Sequence, residues 1–283
     1  MTSSETVEKV NRYYDECQVD YSMIWGTDDH LSMHYGYHDE EHPGIEEAVI
    51  NLTRVVATKA GIDEDDHVLD AGCGVGGSAV WIADNLGAEV TGININGQQI
   101  EKARAGARRE GVDDLVDFEV MDYTSTEFDD DTFEVIWMVE SACHADSKKE
   151  LLEEMKRILK PDGRIVVADG FLGHRNLTEE QREAVDGMLE GMAAPNLDTV
   201  DEFRENLRET GFSKVDFEDK FDSVKPSAKK MYYITLLAFP LAKLLGFLGV
   251  RSETQTNHLK AAYHQYPMLK EGVWVHGLFY AEN

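Results

Sequence analysis

Between residues 66 and 170, short apolar runs alternate with segments whose apolar side chains recur every three or four positions. His67-Val68-Leu69-Asp70 leads into a glycine cluster and then a helix over 78–86. A strand at 89–95 precedes a helix from 98 to about 109. Strands at 116–121 and 133–139 follow, then a helix at 147–159, the turn Lys160-Pro161-Asp162-Gly163 and a fifth strand at 164–169. Strands and helices alternating at this spacing predict an α/β fold, a mostly parallel sheet with helices on both faces. Such sheets bind ligands beyond the carboxyl ends of their strands, at the switch point.

The flanks have another rhythm. Val7, Val10, Tyr14 and Cys17 share one helical stripe, and Ile45, Val49, Leu52 and Val56 another, so residues 4–60 read as helices. Beyond the fifth strand, helices are predicted near 179–192 and 199–210, and final strands at 214–218 and 273–280. A basic, apolar insertion separates those two strands. The economical division is a helical cap over 1–60, a core over 61–220, an acceptor-side helical insertion over 221–270 and the core's last strand over 271–283. Residues 231–250 are apolar over the length of a membrane span, but Pro240 and Lys243 interrupt them. A lysine at the centre of a span costs roughly 3 kcal/mol. The segment therefore reads as a lid, a core helix or a membrane-surface helix assisted by Lys229 and Lys230.

Composition narrows the partners. The 283 residues carry 55 Asp+Glu against 27 Lys+Arg, a formal charge of -28. Nucleic acid is excluded as the expected partner, because duplex affinity comes from basic side chains neutralising phosphates. The 42% hydrophobic content rules out a disordered chain. Cys17, Cys73 and Cys143 are too few for a disulfide framework, and the polar, acidic start carries no signal-peptide pattern. Both point to the cytoplasm. The acidity fits either a solvated carboxylate surface or a salt-adapted, halophile-like proteome, where the Debye length shrinks to about 3 Å. It is unevenly spread: residues 221–270 hold seven Lys/Arg and two acids, which makes them +5 and leaves -33 for the rest.

The densest motif is Asp70-Ala71-Gly72-Cys73-Gly74-Val75-Gly76-Gly77. Gly72, Gly74 and Gly77 satisfy G-x-G-x-x-G, a pattern that also serves nicotinamide dinucleotides. Asp70 discriminates, because a carboxylate beside the first glycine would repel a pyrophosphate. It suits a cationic ligand such as the ammonium of S-adenosylmethionine. Val68 to Gly77 resembles the first motif of class I S-adenosylmethionine-dependent methyltransferases, and Leu159-Lys160-Pro161-Asp162-Gly163-Arg164 resembles the block they carry before the fifth strand. The resemblance implies a Rossmann-like, seven-stranded fold. It also implies S-adenosyl-L-methionine as cofactor and S-adenosyl-L-homocysteine as product.

By the same resemblance, Gly72 and Gly74 border the methionine part and Asp122 accepts the adenine amino group. Many relatives hold the ribose with an acid where this chain has Asn94, whose amide can both donate and accept. Gly92-Ile93-Asn94-Ile95-Asn96-Gly97-Gln98-Gln99 resembles the sterol, tocopherol and cyclopropane-lipid branches, in which the residue matching Gln99 contacts ribose. Asn96 and Gln98 read equally as helix-capping residues, and Asp122 as a turn residue.

Glu140-Ser141-Ala142-Cys143-His144 resembles the Glu-Ala-Thr-Cys-His stretch of sterol C-methyltransferases, and more loosely tocopherol methyltransferases. Tyr13-Tyr14, Tyr21, Trp25-Gly26 and His34-Tyr35-Gly36 resemble the N-terminal segment of the same families. The similarity covers most of residues 10–170 and fades after Asp169. It implies methyl transfer by in-line displacement, in which positioning and exclusion of water supply most of the acceleration. Tyr14 and Trp25 then stand as cation–π partners of a sulfonium or as helix-packing aromatics. Glu140 and His144 either act on the acceptor or complete the cofactor's hydrogen bonds. His30, His34, His38 and His42 would share a face of a helix and bind zinc, but Gly36 and Pro43 argue against that helix. No metal is expected, and the cysteines read as packing residues.

The expected function is methylation, at carbon or oxygen, of a small apolar acceptor: an isoprenoid, sterol-like or quinone/tocopherol-like molecule. Two alternatives stand beside it: N-methylation of a small polar amine such as an osmolyte precursor, and a catalytically silent methyltransferase-like binding protein. The apolar insertion points to where the acceptor enters, or to peripheral membrane contact through 229–250.

Overall fold

The computed structural model describes residues 2–283 apart from 26–30, with backbone only over 22–25. Its strands are β1 (His67–Ala71), β2 (Glu89–Asn94), β3 (Val116–Val120), β4 (Phe133–Val139), β5 (Leu159–Leu172), β6 (Ser213–Asp219) and β7 (Trp274–Glu282). They form one sheet in the order β3-β2-β1-β4-β5-β7-β6. The first five run parallel, and β7 is antiparallel to both β5 and β6. Between β1 and β4 the order reverses, which leaves a crevice beyond their carboxyl ends.

The pleat sends alternate residues of the central strands to opposite faces. Val68, Val90, Val135 and Trp137 pack on one face against α2 (Ile45–Ala60), α3 (Gly77–Leu86) and α4 (Gly97–Glu110) through Leu52, Val56, Ile82, Ile100 and Ala103. On the other, Leu69, Ile93, Ile136 and Met138 meet Leu151, Leu152 and Met155 of α5 (Lys148–Ile158) and Phe203 and Leu207 of α7 (Val200–Glu209). Burial on both faces is why these strands read as unbroken apolar runs. α6 (Glu179–Gly191), α8 (Phe221–Phe247) and α9 (Glu253–Glu271) share a third cluster with Tyr35 and Trp274. Capping boxes at Thr178, Thr199 and Ser252 start α6, α7 and α9.

Helix α1 (Ser4–Trp25) spans the crevice. At one end Ser3 N–H and Thr6 Oγ1 donate to the two oxygens of Asp146, each at 2.8 Å. Toward the other, Asp20 takes a bidentate pair from Arg251, and Tyr13 OH lies 2.8 Å from His258 Nδ1 on α9.

Two sequence expectations are refined. Residues 160–163, expected as a turn, are a bulge within β5. The partners on β4 advance only from Phe133 to Val135 while β5 advances from Leu159 to Arg164, so the extra residues loop out of register. Asn283 secures the bulge, its amide donating to Leu159 and Lys160 carbonyls and its N–H to Gly163 O. The apolar stretch 231–250 belongs to the longer helix α8, which contains Pro226 and Pro240. Among the described residues no helix is long and apolar enough to cross a membrane.

Arg164, just past the bulge, holds the start of β1 to the end of α2. Its guanidinium donates to both Asp66 oxygens, at 3.1 and 2.5 Å, to Gly61 O at 2.8 Å and to Ala60 O. Arg164→Ala strands the mostly buried Asp66 carboxylate and should lower unfolding free energy by about 3 kcal/mol. Urea denaturation of the two proteins measures it, and Arg164→Lys should recover only part, because a lysine lacks the fork.

Candidate functional site

The crevice holds a partly open cavity at the carboxyl ends of β1, β2 and β4, roofed by α1 and residues 31–34. Asp70, Gly72, Gly74, Asn94, Gln99, Asp122, Glu140, His144 and Tyr14, the residues expected from sequence, all line it.

Asp70 ends β1 inside the protein, and burial pushes its carboxyl up to about 7 although the Ala79 N–H donates to it. One oxygen, Oδ2, finds no hydrogen-bond partner among the described residues. A buried oxygen of this kind asks for a donor or a cation. In the glycine loop, Gly72 has φ +89°, and a Cβ there would come 2.5 Å from Ser141 Cβ. That glycine is demanded by the approach of the β4 loop, which Ser141 Oγ secures by donating to Ala71 O at 2.7 Å. Gly74, φ +55°, has only Met33 Cε nearby, at 3.1 Å, so its missing side chain leaves room in the cavity itself.

Asn94, at the end of β2, donates to Gln99 Oε1 at 2.6 Å and to Gly74 O at 3.4 Å. The two amides are thus presented as a pair, and the glycine loop is tied to β2. Asn96 caps α4 through Gln99 N–H, as its alternative reading had it, and also donates to Asp15 of α1. Asp122 Oδ1 accepts from the Thr124 N–H at 2.8 Å and the Thr124 hydroxyl at 2.7 Å. It is a turn residue that also faces the cavity.

A second cavity adjoins the first and shares Tyr14, Met33, Glu140 and His144 with it. Its walls are mainly apolar and aromatic: Tyr35, Met188, Leu189, Met192, Leu197 and Trp274. Polar groups are few, chiefly Glu140, His144, Asp169 and His276. No residue of 221–270 lines either cavity among the described residues. Val224, Ala228 and Met231 of α8 and Ala261 and Ala262 of α9 instead pack with Met188, Tyr35 and Trp274, from behind the wall.

Glu140 stands where the cavities meet. Its backbone is left-handed, φ +50°, a strained setting for a residue with a Cβ. Oε1 accepts from the Tyr35 N–H at 2.8 Å and lies 3.0 Å from His276 Nε2. His276 Nδ1 is buried without a partner among the described residues. Tyr14 OH sits 3.0 Å from His144 Nε2. Burial pushes the His144 imidazole down to about 4 and the Tyr14 phenol well above its ordinary range, so this pair stays neutral at physiological pH. Asp169, the first β5 residue beyond the pairing with β4, is raised by burial to about 6 while accepting from the Cys143 and Gly170 N–H groups. Beneath the Ala142–His144 turn, the buried Lys148 ammonium donates to Cys143 O, Ala145 O and Asn196, so the turn rests on a charged peg.

Sequence reasoning missed His276, Asp169, Lys148 and Tyr35 as site components. Asp169 was findable as an acid closing a central strand; His276 carried no signal. The described part of the series, His34 to His42, forms no helix: residues 31–44 are irregular, His34 Nδ1 turns to Tyr35 O, His38 to Ser227 and Pro43, and His42 to Asp39. His30, Gly26 and the Trp25 side chain lie outside the described residues. Among the described residues no group of His, Cys, Asp and Glu is arranged to hold a metal. Burial raises the Cys73 and Cys143 thiols well above their ordinary range and Cys17 to about 12, as packing residues require.

Comparison with known proteins agrees with this architecture. The family model described as a methyltransferase domain matches residues 69–167. The 27-O-demethylrifamycin SV methyltransferase of Amycolatopsis mediterranei is 31% identical over 230 residues, 80% of this chain and 81% of that protein. The sterol 24-C-methyltransferase of Saccharomyces cerevisiae is 32% identical over 219 residues, 76% of this chain and 56% of that protein. Among solved structures, a geranyl diphosphate methyltransferase in complex with GPP and sinefungin superposes with a TM-score of 0.79 at 19% identity, covering 99% of each chain. The sheet order, the glycine loop at its switch point and these relatives lead to one assignment: this chain belongs to the class I S-adenosylmethionine-dependent methyltransferases, near the sterol C-methyltransferase branch.

Proposed function

We propose that the enzyme methylates a small, apolar acceptor at carbon or oxygen, and that the acceptor occupies the second cavity. The observation that carries this reading is the composition of that cavity: aliphatic, methionine and aromatic walls, with Glu140 and His144 at the border shared with the first and Asp169 and His276 as its other charged or titratable groups.

The residues of the first cavity fit S-adenosylmethionine. Unpartnered Asp70 Oδ2 suits its ammonium, the open face of Gly74 with Gly72 suits the methionine portion, Asn94 and Gln99 suit the ribose hydroxyls, and Asp122 suits the adenine amino group. When bound, the cofactor supplies an electrophilic methyl group on a sulfonium. The chain's own work is orientation and proton handling. Tyr14 and His144, neutral and hydrogen-bonded to each other, line both cavities and present polarisable, water-excluding surface between them. Glu140 and His276 act as a pair. With Nε2–H donating to Glu140, the imidazole keeps a lone pair at Nδ1, and the carboxylate stabilises the imidazolium once the ring takes a proton. That proton comes from the acceptor hydroxyl in O-methylation, or from the carbon beside the transient cation in C-methylation.

A second reading rests on the same cavity. The Glu140 and Asp169 carboxylates could hold the ammonium of a small polar amine, which would then be N-methylated. The two readings separate on a panel of acceptors of graded hydrophobicity. Turnover should rise with acceptor hydrophobicity and be absent on sarcosine or glycine; turnover on either amino acid overturns the apolar assignment.

Glu140→Gln should lower kcat about 100-fold or more while leaving cofactor affinity within a few-fold, and His276→Ala should do the same. Equal losses in kcat and in cofactor affinity by calorimetry would place Glu140 in the cofactor's shell instead. The raised Asp70 carboxyl gives a pH signature. A bound ammonium favours the carboxylate, so binding releases a proton, and cofactor affinity should rise from about pH 5 to about pH 8 and then level off. Asp70→Asn should bind weakly at every pH and lose the slope, as calorimetry in buffers of different ionisation enthalpy would record.

A further inference from the structure

Helix α8 exposes what a helix packed on a protein core normally hides. Val224, Ser227, Ala228, Met231, Thr235 and Ala242 form its buried face. On the opposite side Tyr233, Leu237, Leu241, Leu244 and Leu248 follow one another at helical spacing, all exposed, and Phe247 and Val250 extend the row. Leu237 is 84% exposed, Phe247 88% and Val250 73%. Elsewhere among the described residues, exposed large hydrophobics stand singly, as at Val19, Ile50 and Val120. Lys229 and Lys230 are exposed on the same helix one turn before Tyr233, and Lys243 is exposed beside the row. Arg251 is engaged with Asp20, so lysines carry the positive charge that this segment presents.

We propose that this face of α8 is a docking surface for an anionic lipid bilayer, with the helix lying along the headgroup layer and its leucines and Phe247 entering the acyl boundary. The chemistry of this face, whatever the acceptor, carries the inference. An apolar stripe beside lysines, with the exposed ring of Tyr233 next to Tyr232 and its stacking partner Tyr263, is the chemistry of an interfacial helix. Residues 229–250 hold three lysines and no acid on a chain of -28, and at about 0.15 M salt only charges within about 8 Å of the surface act, so the local sign governs. A second copy is the competing occupant, and the test below separates the two.

The test is flotation of the full-length protein with vesicles of phosphatidylglycerol and phosphatidylcholine, against vesicles of phosphatidylcholine alone. Binding to the anionic vesicles is expected, and Leu237→Glu with Phe247→Glu should reduce the partition coefficient about tenfold or more. Lys229→Glu with Lys230→Glu should also weaken binding and flatten its salt dependence. All four side chains are exposed, so thermal melts should match the parent protein and exclude misfolding as the cause. No binding to anionic vesicles, or binding that Leu237→Glu with Phe247→Glu leaves unchanged, overturns the proposal. So does a solution dimer that the same pair of substitutions disperses, which would make a second copy the occupant.

Discussion

Glu140 joins three parts of the chain that the sequence keeps far apart. It leaves β4 in a left-handed conformation, holds the Tyr35 N–H of the segment between α1 and α2, and meets His276 on β7. The wall of the second cavity depends on that junction, because Tyr35, Trp274 and His276 are placed by it or beside it. The local strain is of order 1–3 kcal/mol, comparable with what one charge-assisted hydrogen bond returns. The carboxylate therefore stays where it is only because the partners on both sides are in place. The same dependence makes α1 part of the site, since its Tyr14 completes the border between the cavities while its ends are anchored to Asp146 and Arg251.

Burial sets the chemistry of the remaining polar groups. Asp70 and Asp169 are both raised toward neutrality by desolvation, and His144 is held uncharged. A site that must receive a sulfonium cation and an apolar acceptor gains from this: carboxylates become charged when a cation arrives, and water is kept from the reacting carbon. Lys148 is the counterweight. Its buried ammonium would be costly alone, but carbonyls of the Ala142–His144 turn and Asn196 surround it, so its desolvation is offset while the turn is fixed.

The insertion between β6 and β7 has separate inner and outer faces. Inward, α8 and α9 support the cavity wall through Ala228, Met231, Ala261 and Ala262 without lining the cavity itself. Outward, α8 carries apolar side chains and lysines that the fold does not use. Of the basic residues that set this segment apart in the sequence, Lys229, Lys230 and Lys243 are exposed with that outer row.

Residues close together in sequence gave the clearest signals. The periodicities of 66–170 determined the strands, their parallel pairing and the crevice, because an element buried on two faces must be apolar throughout and a helix must repeat its apolar face. Asp70, the glycine loop, Asn94 with Gln99, and Glu140 with His144 were legible because each set sits at the end of one strand, where the fold itself places ligands. Tertiary structure decided the rest. His276 reaches Glu140 only because β7 runs antiparallel to β5 and sets Gly170 opposite it, a pairing over a hundred residues that no local pattern encodes. Likewise, the apolar composition of 231–250 announced a buried surface but not its direction. Only the packing of α8 on α9 and Trp274 settled which half faces the core and which faces outward, because one helix side can pack and the other then cannot.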